Sequence, residues 1–327
     1  MPIIASVCMI TYNQEKYVSQ AIESIVCQET NFKFELVIGD DGSTDKTKEI
    51  CIHYAKKFKE IKFLDFRENI GAIKNFFRTV KFCSGDFIAL CEGDDYWISK
   101  NKLMQQVEFL RRNKEYSMCY HRVYELTGDQ LTLELLNWKN YDYTYDIRDL
   151  AKTNFIHTVS VIYRNNFLKK LPDWFHECPV GDYPLHIINA KMGKIKYFHE
   201  PLAVYRRHSE SMWHPLSDCD RIKKWLVVLK YLSYEMSYEE HVKKNYLKHL
   251  LRTVKKLEIE YYLGNISYEE FHGEVFQLKK EIPGFSNVFS DRNYKKYYFL
   301  KNKACLFYKF IRKNIVKMFM FTRRITV

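Results

Sequence analysis

Glycine and proline are scarce in this 327-residue chain, with 11 and 7 copies. The first strand-like run ends in Ile10-Thr11-Tyr12-Asn13-Gln14, where a dinucleotide-binding fold would place a G-x-G-x-x-G turn, so a dinucleotide cofactor is not expected. The same place lacks the Gly-rich, Lys/Arg-bearing loop of a sugar nucleotidyltransferase. None of the nine cysteines falls at C-x-x-C spacing and several lie in apolar runs, which argues against a structural zinc or a disulfide framework and fits reduced, buried thiols. The start, Met1-Pro2-Ile3-Ile4-Ala5-Ser6-Val7, has neither the basic region nor the long apolar core of a signal peptide. No stretch of 18 or more residues is uncharged and apolar enough to span a bilayer. A cytoplasmic protein is expected. Acidic residues are missing from 292–327, which carry eleven basic side chains.

What is present describes a globular protein with one large domain and an appended part: 46% apolar residues, 28% charged, 25 Tyr and 23 Phe. The net charge of +12 is uneven. Residues 221–327 hold 23 Lys+Arg against 10 Asp+Glu, and residues 1–220 hold 29 against 30. A nucleic-acid-binding protein would need positive charge on the face of its cleft, and the neutral first two thirds offer none, so no nucleic-acid partner is expected.

Strand-length apolar runs alternate with helical patterns through the first hundred residues. Strands are expected at 3–10, 34–38, 61–66 and 87–91, and helices at 15–28, 45–58 and 72–82. That alternation predicts an α/β fold, a mainly parallel sheet with flanking helices, whose ligands bind at the carboxyl ends of the strands. A helix after Ser99, strands at 117–124 and 158–163, a helix opened by Gly181-Asp182-Tyr183-Pro184, and strands at 194–199 and 202–206 follow. The expected domains are 1–215, a helical region 216–290, and a basic tail 291–327.

Three polar clusters end strands: Thr11-Tyr12-Asn13, Asp40-Asp41-Gly42-Ser43 and Glu92-Gly93-Asp94-Asp95-Tyr96-Trp97. In the second, Gly42 to Asp45 can be explained as a tight turn and helix cap, but two adjacent carboxylates cannot. A carboxylate there can accept a uracil imide N–H or ribose hydroxyls. Tyr12 can stack on a base or pack as a loop aromatic. In the third, three carboxylates raise one another's pKa unless a cation sits among them, and a hard ion such as Mg²⁺ or Mn²⁺ is the natural candidate; a turn followed by a helix cap is the plainer alternative.

Ser6 to Asn13, Gly39 to Asp45, Asn69-Ile70-Gly71 and Glu92 to Trp97 together resemble family 2 glycosyltransferases of the GT-A fold, over roughly residues 1–215. The resemblance implies an inverting enzyme that uses a nucleotide-diphospho-sugar and Mn²⁺ or Mg²⁺. It implies a nucleotide site at Thr11, Tyr12, Asn13, Asp41, Asn69 and Asp94, and a metal held by Asp94 and Asp95, since Glu92 replaces the family's usual first Asp. The segment 181–185 resembles the one that supplies the catalytic base, which makes Asp182 the candidate; an ordinary helix N-cap is its plainer role. Tyr205-Arg206-Arg207-His208, followed by Trp213-His214, resembles the loop at the diphosphate, with His208 a third metal ligand or else a surface histidine. The acceptor implied is a hydroxyl of a glycan or a lipid-linked molecule.

In the tail, Leu300, Ala304, Phe307, Ile311 and Ile315 recur at helical spacing among basic residues. Such a segment can bind an anionic membrane surface, or dock on its own domain or on a partner chain in an oligomer.

Overall fold

The computed structural model describes residues 2–135, 139–166, 171–211, 215–236 and 240–282. The expected basic tail, the last residues of the helical region, and Trp213-His214 lie outside the described residues.

The first half alternates as its apolar runs require: β1 (Ile3–Thr11), α1 (Val18–Val26), β2 (Lys33–Asp41), α2 (Thr47–Lys57), β3 (Ile61–Phe66), α3 (Ala72–Val80), β4 (Phe87–Leu90), β5 (Tyr96–Trp97) and α4 (Lys102–Arg112). Then come β6 (Tyr116–Thr127), β7 (Gln130–Leu133), β8 (Tyr143–Tyr145), α5 (Ile147–Leu150), β9 (Ile162–Arg164), α6 (Asp182–Ala190) and β10 (Lys194–Arg207). Among the described residues these strands form one sheet in the order β3-β2-β1-β4-β9-β6-β10-β5, with β7 added to β6 and β8 to β10.

β1 pairs in parallel with β2 and β4, and β2 with β3. β1 is buried almost throughout and β2 over its last seven residues, so they read as continuous apolar runs and not as alternating ones. Val18, Ala21, Ile22 and Ile25 of α1 and Leu103, Val107 and Leu110 of α4 join them in the core.

Beyond β4 the sheet is mixed, not mainly parallel: β9 runs antiparallel to both β4 and β6. The strand expected at 158–163 is shorter than that, because Thr158–Ser160 is a 3-10 turn. The two strands expected between 194 and 206 are one, β10, which passes Pro201 through register shifts against β6. Pro201 has no N–H to donate to a ladder, and the shifted register accommodates it.

β6 and β10 run in the same direction as β4 because the antiparallel β9 lies between β4 and β6. The ends of β1, β2, β4 and β10 therefore share one sheet edge. α6 leads directly into β10, so its first turn lies toward that edge.

The described chain divides into two compact units, Met1–Ser217 with Glu235–Asn245, and Asp218–Tyr234 with the described residues from Tyr246 on. The second is helical, built on α7 (Asp218–Glu235), α8 (Glu240–Leu263) and α9 (Tyr268–Glu281). α9 starts in a capping box between Ser267 and Glu270. It is tied within its unit by a Lys223–Glu270 ion pair at 3.0 Å and by Phe271 stacked on Tyr261. No helix among the described residues is long and apolar enough to cross a membrane.

Candidate functional site

The loops after β1 and β2 are stitched to each other. Asn13 adopts a positive φ of 51° and its side-chain oxygen accepts the Thr44 N–H at 2.8 Å, while its own N–H donates to Ser43 Oγ at 3.0 Å. The Gln14 N–H donates to Thr47 Oγ1 at 2.7 Å. Thr11 is buried and donates its hydroxyl to Gln14 Oε1 at 2.8 Å. These two side chains lie directly over Gly93, where a Cβ would stand 2.4 Å from Gln14 Oε1 and 2.8 Å from Thr11 Oγ1; only glycine lets the acidic loop come this close. Thr11 and Asn13 thus shape the cleft through contacts with the protein itself. Tyr12 is 43% exposed.

The two adjacent carboxylates of β2 have different surroundings. Asp40 holds the turn, accepting the Ser43 hydroxyl at 2.5 Å and the Ser43 N–H at 3.0 Å; the turn continues through Gly42 at φ +74°. Asp41 faces the loop after β3. It accepts Arg78 Nη2 at 2.6 Å and the N–H groups of Ile70 at 3.1 Å and Gly71 at 3.0 Å. Asn69 accepts the same Gly71 N–H at 3.1 Å. Arg78, on α3, lies 3.7 Å over the Phe66 ring. Sequence reasoning missed Arg78, since a lone arginine on an amphipathic helix carries no signal until the fold places Asp41 beside it.

The acidic loop between β4 and β5 has the opposite character. Asp94 Oδ2 meets His208 Nε2 at 3.0 Å, and Asp95 Oδ1 accepts the Arg206 N–H at 2.8 Å. The other carboxylate oxygens, Asp94 Oδ1 and Asp95 Oδ2, are buried with no hydrogen-bond partner, as is His208 Nδ1. Arg206 latches the end of β10 onto this loop through the Asp94 carbonyl at 2.5 Å and through Gln20, between the rings of Tyr17 and Tyr96.

Burial, then the nearby Asp94 and Asp182 charges, push Glu92 up to about 8. Burial, then Asp94 and Glu92, hold Asp95 well above the carboxylate range, with Arg206 opposing. Negative charge is in excess here, and a cation would relieve it. Among the described residues no group of three or more His, Cys, Asp or Glu side chains is placed so as to hold a metal ion.

Asp182 is the first residue of α6, and the cap position falls on Gly181, so the plain N-cap role weighed for Asp182 is not what the fold shows. Its Oδ2 accepts Asn154 Nδ2 at 2.9 Å, and its Oδ1 is buried without a partner. Burial raises its pKa, against hydrogen bonds from Asn154 and the local backbone. Tyr205 ties the cluster together. Its hydroxyl is pushed up by burial and then by the charges of Asp95, Glu92, Asp94 and Asp182, so one side chain senses all four carboxylates. Asp94, Asp95, His208 and Asp182 gather at this end of the cleft, and Asp41, Asn69 and Arg78 form the other end.

This fold recurs in solved structures. Staphylococcus aureus TarS (residues 1–349), solved with UDP-GlcNAc, matches with a TM-score of 0.67 over 86% of this chain and 82% of that one, at 19% identity. The mannosyltransferase PcManGT from Pyrobaculum calidifontis, solved with GDP-Man and Mn²⁺, matches with a TM-score of 0.53 over 91% and 85%, at 14% identity. The chain belongs to glycosyl transferase family 2, whose profile matches residues 6–172. An uncharacterized protein of Mycobacterium tuberculosis is 37% identical over 228 residues, which are 67% of this chain and 63% of that protein. The chain thus spans less than two thirds of that relative's length.

Proposed function

We propose that the protein transfers a sugar from a nucleotide-diphospho-sugar, with a UDP-sugar the expected donor, to a hydroxyl of a glycan or lipid-linked acceptor with inversion at the anomeric carbon. The observation that carries this reading is the gathering of Glu92, Asp94, Asp95 and Asp182 around Tyr205, with an oxygen of each Asp buried and unpartnered. The donors present in the solved relatives of this fold, UDP-GlcNAc and GDP-Man, support the donor class.

In this reading Asp41 and Asn69 hold the uracil or ribose and the exposed Tyr12 ring covers the base. Asp94 and Asp95, each with an orphaned carboxylate oxygen, would hold Mn²⁺ or Mg²⁺, with His208, turned to Asp94 through Nε2, the candidate third ligand. When bound, the metal neutralises charge that develops on the leaving diphosphate.

Asp182 takes the proton of the acceptor hydroxyl as that oxygen attacks the anomeric carbon. Its raised pKa makes it a stronger base than an exposed aspartate. One carboxylate base and one direct displacement invert the configuration. The test is release of nucleoside diphosphate from a panel of UDP-, GDP- and dTDP-sugars. Release from at least one donor, lost on chelation and in Asp182→Asn, is expected; no release and no nucleotide binding with any donor contradicts the proposal.

Residues 292–327, with eleven basic and no acidic side chains, are the proposed attachment to an anionic cytoplasmic membrane face, where a lipid-linked acceptor would also lie. Co-sedimentation of the full chain with anionic but not neutral vesicles, weakened by high salt, is the expected result; equal behaviour with both leaves the segment an internal or oligomer contact.

A further inference from the structure

Asp182 has two carboxylate oxygens, and only one is free to accept a proton. The other is held by a residue in the loop after α5, 28 positions earlier in the chain: Asn154 Nδ2 donates to Asp182 Oδ2 at 2.9 Å. Asn154 is itself oriented, since its own side-chain oxygen accepts the Ile156 N–H at 3.3 Å. That contact makes the nitrogen the amide atom turned toward Asp182. Asp182 Oδ1 remains buried with no partner. Within α6 the Tyr183 backbone N–H also acts on the Asp182 carboxylate, and Asn154 is the side chain that holds it.

We propose that Asn154 is a positioning residue for the base: it pins Asp182 Oδ2 and thereby presents Oδ1 to the acceptor hydroxyl. The inference rests on the reading of Asp182 as the base. An amide is suited to the task because it donates a hydrogen bond without adding charge, whereas a carboxylate at 154 would repel Asp182 and a Lys would neutralise it. Asp182 is faced by Glu92 from the acidic loop, Tyr163 from β9, Tyr205 from β10 and its helical neighbour Tyr183. Of these only Glu92 can add negative charge near neutral pH.

The experiment is ¹³C NMR titration of the full chain labelled at aspartate side-chain carboxyls, the Asp182 signal being the one missing from Asp182→Asn. Asn154→Ala should raise the Asp182 midpoint by about 0.5–1 pH unit and Asn154→Asp by more than about 1 unit. With any donor whose nucleoside diphosphate is released, Asn154→Ala should lower kcat about tenfold while UDP affinity stays within twofold. If the Asp182 midpoint is unmoved in Asn154→Ala, the positioning role is overturned, and that variant decides alone should Asn154→Asp fail to fold. If the midpoint moves but Asp182→Asn keeps most of its turnover, it is the base assignment that falls and the hold of Asn154 on Asp182 stands.

Discussion

The two ends of the cleft are built from the same residue type in opposite states. At the end formed by β2 and α3, Asp41 is met by three donors, from Arg78, Ile70 and Gly71. At the end formed by the acidic loop, α6 and the last turn of β10, Asp94, Asp95 and Asp182 each keep a buried oxygen with nothing to bond. A carboxylate saturated by the protein contributes to stability, and one left unsatisfied costs stability until something binds. The contrast separates a prebuilt wall of the cleft from a centre left with uncompensated negative charge.

The largest effect should come from the unsatisfied end. Asp182→Asn keeps shape and loses proton affinity, so turnover should fall by about 10²–10⁴ while UDP binding survives. In the parent enzyme the rate should rise with pH through the Asp182 pKa, which burial places above the ordinary aspartate range, and a rate already flat from acid pH would speak against it. At the saturated end the effect should be on folding. Asp41→Ala removes the charge partner of the half-buried Arg78 guanidinium and leaves the Ile70 N–H without its acceptor, and should cost roughly 1–3 kcal/mol in urea unfolding; a loss below about 0.5 kcal/mol would show that this wall is not prebuilt.

Lys102 is a control, since the titratable groups that act on it are Cys91 and Cys119 and not the carboxylates of either end. It is fully buried, its Nζ has no hydrogen-bond partner, and it lies 3.9 Å over the Trp97 ring. Burial lowers its pKa to about 7 from 10.5. The unfolded chain therefore holds one more proton than the folded chain between those values, and this residue costs stability that is recovered as pH rises from about 7 toward 10. Lys102→Met should stabilise by about 2–3 kcal/mol at pH 7, with the gain shrinking toward pH 10 and UDP binding unchanged. A pH-independent gain would contradict the buried, weakly basic amine.

The smallest effect sharpens the contrast most. Without metal, Asp95→Asn removes a charge that Asp94 and Glu92 repel and should raise stability by about 1 kcal/mol. A clear loss in a thermal melt would place Asp95 with the saturated carboxylates.

Much of this was legible before folding. The apolar runs located β1, β2 and β4, because strands buried on both faces leave continuous hydrophobic signatures, and the half-exposed β3 was legible from its place in the alternation of strands and helices. Asp94-Asp95 stood out because adjacent acids after such a run have few structural uses. Asp182 was legible only through the order of the motifs. Three things were not. Arg78, Asn154 and the Arg206 latch act through pairings 37, 28 and 111 residues apart, which no local pattern encodes. β5, β7 and β8 are short, and the four residues of β7 are all exposed, so they lack an apolar run. The antiparallel β9 between β4 and β6 is a matter of topology, and periodicity carries no direction.

Calorimetric titration of UDP into the parent and into Asp95→Ala, each with Mn²⁺ and after chelation, tests the central claim most directly. The account predicts binding to the parent that Mn²⁺ strengthens at least tenfold and that Asp95→Ala reduces to the metal-free level. Equal affinity with and without Mn²⁺, or an unchanged metal effect in Asp95→Ala, would contradict it.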